Sequence, residues 1–510
     1  MNQDLGLEIR SEPILAAETI GRSDDDLQHV FSTCQLIRYR SGQLIVVFRD
    51  SCQAALVNRR RECFLAVPLL TLKVIALGAF LSDSDKPTQR IRCPVHGFIR
   101  YSVHERKIID HPVFQRLRHI RQLAMTYLVY PGAMHSRFEH SLGVMELATQ
   151  AFDLLSLRHE DRLVGELHQI PELSEDTMRK ARQIVRLMAM LHDVGHPAFS
   201  HAAESTIPGG NHEKVSTHII GKVLGTEIDK TFFEGASALL VRLMEKSQEL
   251  TFLREFVASQ MDMDRTDYLR RDSLHCGVDY GVFDSRRLIE SLTVIENPDS
   301  GRLQLAIQRG GEHTFEALIL ARYQMNTQVY LHRIRRIYDY YLTEYMKLWG
   351  AEHHQTLDEV LKHDDTGVLM AIRRDAEDKN ERSAWAQRIV KRNHHRRVLE
   401  TGDYADEQKL RRMSRVHRKL IEEFPGVDFH LDNATHDIHK LTVPGEQDPQ
   451  KVEDLHIVEK DGKLKLLSED SAIIGKIPKR VRTVRIFADA EGTTLENIRS
   501  RARALEAQAA

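Results

Sequence analysis

Three short stretches carry the residue types that metal-assisted phosphoryl chemistry needs, in one order along the chain. They are Phe138-Glu139-His140, Leu191-His192-Asp193-Val194-Gly195-His196-Pro197 and Asp262-Met263-Asp264-Arg265. Two imidazoles and two carboxylates, from His140, His192, Asp193 and Asp264, suit a divalent ion such as Fe, Mn, Zn or Mg and leave positions open for water and substrate. An ion held this way lowers the pKa of its water and polarises a phosphoryl oxygen. His196, His201 and His212 follow closely, and imidazoles titrate near neutral pH, so they can move protons or hold phosphate oxygens. A His-Asp pair alone would mean little. His363-Asp364 and His436-Asp437 also occur and read as capping or surface features, and Asp262, Asp264 and Asp267 alone would equally fit an acidic helix surface.

These residues need elements to hold them. Ser174 is a candidate N-cap, with Glu175 and Asp176 in the first turn, and Ile184, Leu187, Met188 and Leu191 repeat at i, i+3, i+4 and i+7. A helix so patterned ends at His192 and Asp193. Gly195 can take the left-handed conformation that ends a helix, while Pro197 pushes His196 out of helical geometry and turns the chain. Around His140, Phe138, Leu142, Met145 and Phe152 form one apolar stripe and His140, Gly143 and Leu147 another, so an interior helix is predicted, with Gly143 allowing a close approach. Asp264, Tyr268 and Asp272 share one face of a third helix. The run 315–348, rich in Leu, Tyr and Arg and free of Pro and Gly, predicts one long helix. Helices are expected to continue over 356–424. After Pro425-Gly426, short strands are expected at 427–431, 441–443, 464–467 and 481–487, and a last helix at 495–507.

Over 91–339 the sequence resembles the HD-domain deoxynucleoside triphosphate triphosphohydrolases, dGTPase-like enzymes that include the sterile-alpha-motif-and-HD-domain branch. The matching residues include Pro94-Val95-His96-Gly97, His111-Pro112-Val113-Phe114-Gln115-Arg116-Leu117-Arg118, Pro131-Gly132-Ala133, Arg137-Phe138-Glu139-His140-Ser141-Leu142-Gly143-Val144 and Phe199-Ser200-His201. The resemblance implies a mainly α fold, an HD-domain helical core with a small α+β C-terminal region. It also implies that His140, His192, Asp193 and Asp264 bind metal and that His196, His201 and His212 are catalytic or contact phosphate. Arg137, Arg265, Tyr268 and Arg322 would hold a triphosphate, as the planar guanidinium fork suits phosphate oxygens. Gln122 and Leu123 would pack sugar and base, Asp272 would meet the 3′-hydroxyl, and Tyr330, two turns beyond Arg322, would stand where a ribose 2′-hydroxyl must go. The implied reaction attacks the α-phosphorus of a dNTP and releases deoxynucleoside and intact triphosphate, with His201 the candidate to protonate the departing 5′-oxygen. Asp110, Gln115 and Arg118 match part of a guanine-reading effector site, or else belong to an N-capped, salt-bridged helix start at Asp110 with Pro112 in the first turn. The chain departs from the family where relatives carry a glycine-rich turn: Ala124-Met125-Thr126 stands there. Asn326 and Gln328 replace basic residues of the animal enzyme.

With 510 residues, 42% hydrophobic and 29% charged, the chain can bury a sizeable core in more than one domain. The expected division is an N-terminal extension over 1–89, an HD phosphohydrolase domain over 90–350 and a helical then α+β region over 351–510. A net charge of −2 gives no global pull toward polyanions. The basic runs at 391–397, 409–419 and 479–485 read as solvated faces, so nucleic acid is a possible but not favoured partner. The cysteines, Cys34, Cys52, Cys63, Cys93 and Cys276, show neither a disulfide framework nor a zinc-ribbon spacing. A reducing cytoplasm fits. The apolar stretch over 63–81, interrupted by Pro68 and Lys73, makes a marginal membrane span, and no membrane association is expected. A homo-oligomer, dimer or tetramer, is expected, with a nucleotide effector as a further possibility. Other readings keep the metal site but change the substrate, to a 5′-nucleotide, a cyclic nucleotide or guanosine tetraphosphate, or make the chain a nucleic-acid-binding protein or nuclease.

Overall fold

The computed structural model describes residues 86–441 and 455–508, and the backbone of four strands before them, β1 (Cys34–Arg38), β2 (Leu44–Phe48), β3 (Gln53–Val57) and β4 (Cys63–Pro68). These four pair in sequential antiparallel order inside a unit spanning Met1–Lys86, and Pro87–Ala510 forms a second unit. The stretch 63–81 lies outside the described residues apart from the β4 backbone, as does the strand expected at 441–443 beyond Leu441. Among the described residues no helix is long and apolar enough to cross a membrane.

The second unit is mainly α. It opens with the hairpin β5 (Gln89–Cys93) and β6 (Gly97–Tyr101), followed by α1 (Val103–Ile109) and α2 (Pro112–Gln115). Asp110 closes the C-terminus of α1, and α2 is capped by His111, whose Nδ1 accepts from the Val113 amide at 3.2 Å. The helix start expected at Asp110 is therefore one residue later. Pro112 presets the first-turn φ, and the ring just before it becomes the cap.

α3 (Arg137–Leu167) starts at a Ser136–Glu139 capping box and is buried on both of its predicted apolar faces, before an irregular residue, His159, interrupts it. α4 (Thr177–Leu191) carries its stripe as expected and ends at His192. Its start is a correction: Ser174 closes a preceding 3-10 turn, donating to Pro171 O at 2.8 Å, and Asp176, left-handed at φ 51°, precedes the first helical residue without a side-chain cap. The turn at Pro171 occupies the Ser174 hydroxyl, so it is not free to cap.

α5 (His212–His218) follows the site-bearing turn, and α6 (Met263–Cys276) is capped by Asp262, which accepts from the Arg265 amide at 2.8 Å, and closed by Gly277 at φ 70°. The buried face of α6 is polar, including Thr266, Asp267, Arg271, Asp272 and Ser273. It crosses α3 at Gly143, where an added Cβ would overlap the Asp267 and Arg271 side chains.

The long helix expected over 315–348 is instead two, α7 (Glu312–Met325) and α8 (Arg333–His353), joined by a π-turn over Asn326–Tyr330 and a break at His332 (ψ 130°). Neither Pro nor Gly marks the break. The Asn326 amide donates to Arg322 O at 2.8 Å while Leu331 N reaches back to Asn326 O, the five-residue bond of a π-bulge. The wider turn carries Tyr330 inward onto Asp272.

C-terminal to α8 lie α9 (Asp365–Asp375), α10 (Ser383–Val390), α11 (Glu407–Glu423) and α12 (Gly492–Gln508). The expected continuous helical run to 424 is broken by β9 (Arg396–Glu400), which pairs with β13 (Arg480–Ala488) in a sheet ordered β10-β13-β9, β10 being Phe429–Asp437. β10 runs longer than its apolar start implies because Asp432, Asn433, His436 and Asp437 extend the ladder. A second sheet, β12-β11-β8-β7, combines an unforeseen hairpin, β7 (Leu292–Glu296) and β8 (Leu303–Gln308), with β11 (His456–Val458), parallel to β8, and β12 (Leu464–Leu466).

The α3–α6 crossing makes a paired test. Gly143→Ala is expected to lower the unfolding free energy by about 3 kcal/mol or more, because a methyl there meets a buried ion pair. Gly165→Ala, at an exposed position of the same helix with open space around it, is expected to raise it by about 0.5–1 kcal/mol. Urea denaturation of both variants reads this out, and equal small effects would contradict a tight crossing.

Candidate metal centre and nucleotide pocket

His140 from α3, His192 and Asp193 from the end of α4, and Asp264 from the first turn of α6 converge. His140 Nε2 lies 3.0 Å from Asp264 Oδ1 and 3.6 Å from Asp193 Oδ2, and His192 Nε2 lies 3.5 Å from Asp193 Oδ1 and 3.7 Å from Asp264 Oδ1. The opposite ring nitrogens are anchored: His140 Nδ1 to Asp267 Oδ2 at 2.8 Å, and His192 Nδ1 donating to Ala189 O at 2.8 Å. Both Nε2 atoms therefore point into the cluster, buried and without a hydrogen bond. Burial disfavours charge on His140, yet Asp264 and Asp267 outweigh it and push the ring up to about 10. Burial likewise opposes ionisation of Asp193, but His192, Arg137 and His196 hold it well below the usual carboxylate range. His140, His192 and Asp264 present ligand atoms within 4.8 Å of one another, a donor set that fits a divalent metal, while Asp193, beside both imidazoles, groups in the same way with His196 and His212.

Asp267 was not singled out as functional, yet it anchors this centre. Fully buried, it accepts from Arg271 through two bonds of 2.8 Å and meets His96 Nε2 at 2.5 Å as well as His140. Its i+3 spacing from Asp264 was the available signal.

The turn after Asp193 brings the other histidines together. His196 and His212 stack with ring centroids 3.8 Å apart, His201 meets His196 edge-on at 5.2 Å, and His196 Nε2 lies 3.3 Å from Asp193 Oδ1. Burial, with Arg137 and His212 adding to it, keeps His196 neutral. Glu204, also missed, pairs with His212 Nδ1 and lies 3.1 Å from His201 Nδ1. His201 is not in a loop but in a 3-10 turn over Ser200–Thr206, its side chain exposed.

Gly195 is not left-handed; that conformation falls to Phe199 and Ser200, at φ 58° and 54°. Gly195 is required because a Cβ would strike the Ser216 amide and His212 carbonyl of α5, while its own amide donates to Ser216 Oγ at 3.0 Å. Two residues to which the sequence assigned no role hold the turn. Arg116 donates to His196 O at 2.8 Å, Val194 O at 3.3 Å and His363 O at 3.0 Å, and Asp365 accepts from Phe199 N at 2.7 Å and Arg121 N at 2.9 Å.

Along α6 a row of buried and half-buried polar groups leads away from the cluster. Tyr268 stands among Arg265, Arg322 and Asp264, and its buried phenol is raised despite the two guanidinium groups. Arg322 is 7% exposed and its Nε has no partner. Arg137 pairs with Asp193 and donates to Ser200 Oγ at 2.7 Å, whereas Arg265 is engaged by Asp262 and Ser259 O. Asp272 accepts from Tyr330 Oη at 2.7 Å and meets His135 Nε2 at 2.7 Å. The Gln122 amide donates to His135 O at 3.0 Å, next to buried Leu123, and its side-chain Oε1 is unpaired. Ala124, the residue after Leu123, is left-handed at φ 46°.

Asp110, Gln115 and Arg118 lie apart, lining an open groove with Arg116, His119 and residues of 358–364. Arg118 Nε donates to Gln115 Oε1 at 2.7 Å and its guanidinium covers Phe138 at 3.5 Å, while Gln115 donates to Ile109 O at 2.7 Å and Asp110 pairs with Arg106 at 3.0 Å.

Asp267→Asn is expected to weaken divalent-metal affinity by about 10–100-fold, because His140 loses its anchor, and to cost about 3 kcal/mol of stability by stranding Arg271. Metal titration and denaturation of the variant measure both, and wild-type affinity would remove Asp267 from the centre.

Residues 137–272 match the HD domain and residues 283–486 the HD associated region. The chain is 32% identical to an uncharacterised protein of Methanocaldococcus jannaschii, over 56% of this chain and 54% of that one. It is also 32% identical to the deoxynucleoside triphosphate triphosphohydrolase SAMHD1 of Gallus gallus, over 54% of this chain and 47% of that one. It thus spans about half the length of these curated relatives. The crystal structure of a phosphohydrolase from Bacteroides thetaiotaomicron superposes with a TM-score of 0.62 at 25% identity, covering 78% of this chain and 99% of that one. The matched segment 137–272 begins at the helix bearing His140 and ends at Asp272 on the helix bearing Asp264, so it encloses the cluster. The chain belongs to the HD-domain phosphohydrolase family, with SAMHD1-type deoxynucleoside triphosphate triphosphohydrolases among its relatives.

Proposed function

We propose that this protein is a metal-dependent dNTP triphosphohydrolase that attacks the α-phosphate and releases deoxynucleoside and intact triphosphate. The observation that carries the reading is the set of polar groups packed along α6: a buried guanidinium with an unpaired Nε at Arg322 near Tyr268, and an Asp272–Tyr330 pair one turn further. These supply a cation for phosphate oxygens and an acceptor for a deoxyribose hydroxyl on the helix that also carries Asp264. Tyr330, tied to Asp272, would stand where a ribose 2′-hydroxyl must go, and the Asp272 carboxylate would accept from a 3′-hydroxyl.

His140, His192, Asp193 and Asp264 would hold the ion, which when bound supplies a polarised phosphoryl oxygen and a more acidic water. Arg137, tied to Asp193 and Ser200, offers positive charge to an α-phosphate oxygen. His196, neutral and 3.3 Å from Asp193, and His212, anchored on Glu204, line the face where phosphate oxygens and water must sit. His201, exposed and steadied by Glu204, donates a proton to the departing 5′-oxygen as its bond to phosphorus breaks. Arg265 and Arg322 balance the remaining phosphates. Homo-oligomeric assembly, a cytoplasmic setting and a nucleotide effector at Asp110, Gln115 and Arg118 belong to the same proposal.

Purified protein incubated with each dNTP, singly and mixed, with Mn or Mg, is expected to yield deoxynucleoside and triphosphate by chromatography. His192→Ala and Asp193→Ala should lose about a thousandfold or more, equivalent to roughly 4 kcal/mol of transition-state stabilisation, and chelation should abolish turnover reversibly. Monophosphate with pyrophosphate would overturn the regiochemistry, and turnover confined to other phosphoesters would overturn the substrate.

A further inference from the structure

The segment 130–136 leads into α3 and is fastened along its length. Tyr130 Oη donates to Gln328 O of the π-turn at 2.9 Å, and an added Cβ at Gly132 would lie 2.5 Å from His275 O of α6. The His135 carbonyl accepts from the Gln122 amide at 3.0 Å. The His135 ring, in a residue 2% exposed, stacks on His275 with centroids 4.5 Å apart. So held, its Nε2 lies 2.7 Å from Asp272 Oδ1, while Nδ1 is buried without a hydrogen-bond partner. A carboxylate only accepts, so Nε2 carries the ring hydrogen and Nδ1 keeps its lone pair. The other Asp272 oxygen, Oδ2, accepts from Tyr330 Oη at 2.7 Å. One buried carboxylate is thus gripped from both sides, by an imidazole and a phenol, and each oxygen keeps a further lone pair. His135 joins the Gln122 backbone to the Asp272–Tyr330 pair through one residue.

We propose that His135 is a positioning residue for sugar recognition: by fixing the Asp272 carboxylate it sets where Tyr330 stands, and so how strictly deoxyribose is preferred to ribose. The inference rests on the dNTP reading, in which Asp272 meets the 3′-hydroxyl and Tyr330 occupies the place of a 2′-hydroxyl. A carboxylate held by a single donor can turn about its Cβ–Cγ bond. Held by two, its plane is fixed, and both the phenol on one oxygen and the lone pairs left for a hydroxyl acquire a set direction. Hydrogen bonds to a buried ionised group are among the strong ones, so losing the imidazole donor is felt by everything else bonded to that carboxylate. The hydrogen bonds and ring stack of His135 reach none of His140, His192, Asp193 or Asp264, so its effect falls on the sugar and not on the ion.

The test measures kcat and KM of the Mn-loaded full chain for the dNTP that wild type turns over fastest, its 2′,3′-dideoxy analogue and the matching rNTP. His135→Phe keeps a ring to stack on His275 but loses the donor. It is expected to raise KM for the dNTP and to narrow both the dNTP-to-dideoxy and the dNTP-to-rNTP ratios of kcat/KM by about tenfold or more, with Mn affinity unchanged. His135→Gln, whose amide can still donate to Asp272, should keep both ratios close to wild type. A merely structural defect would lower all three nucleotides alike. If His135→Phe fails to bind Mn, His135→Met, also without a donor, takes its place in the comparison. Wild-type ratios in the donor-less variant, or equal loss in it and His135→Gln, would overturn the inference while leaving dNTP hydrolysis intact. Absence of dNTP turnover in wild type would instead remove the functional reading, and the inference with it.

Discussion

The carboxylate of Asp267 is the interaction on which this site depends. Burial alone would raise its pKa, but Arg271, His140 and His96 hold it well below the usual range, so it remains a charge inside the core. Such a charge persists only when paired and hydrogen-bonded on all sides. Its partners fix three things at once: the angle of the His140 ring, the approach of α6 to α3 at Gly143, and the position of the β5–β6 hairpin through His96. With those set, Asp264, one turn earlier on the same helix, meets His140 and His192.

The histidine-bearing turn is held by a different device. Phe199 and Ser200 occupy left-handed backbone that L-residues adopt at a cost, and no glycine relieves it. Asp365 at the start of α9, together with Arg116, offsets that strain by accepting from and donating to the turn's backbone. The C-terminal helices are therefore part of how the His196–His212 stack is built. Arg116 also lines the groove of Asp110, Gln115 and Arg118, which links that surface to the turn through one side chain.

Charge is graded along α6. The His140–Asp264 cluster collects carboxylates around two inward imidazole nitrogens, and further along the buried guanidinium of Arg322 acts on Tyr268. The C-terminal sheet of β10, β13 and β9 shares one compact unit with the helical core, and β11 extends the β8–β7 sheet of that core.

Periodicity and short-range chemistry revealed most of the helical elements. The stripe from Ile184 to Leu191, the two buried faces around His140 and the Asp264-Tyr268-Asp272 face are local patterns, and local patterns are what a helix enforces. The need for a small residue at Gly143 could be read, but what presses on it could not, because Asp267 and Arg271 are more than a hundred residues away. Tertiary contact alone decided the π-turn before α8, since no Pro or Gly announces it and the gain is a Tyr330–Asp272 bond made across the fold. The same holds for β9 and for the polar half of β10, where pairing with β13 outweighs weak strand propensity. His436-Asp437 looked like a surface pair from its sequence. The strand register turns His436 to the side of buried Asp432 and Ala434, because alternation assigns a face only once the partner strand and the packed helix are known.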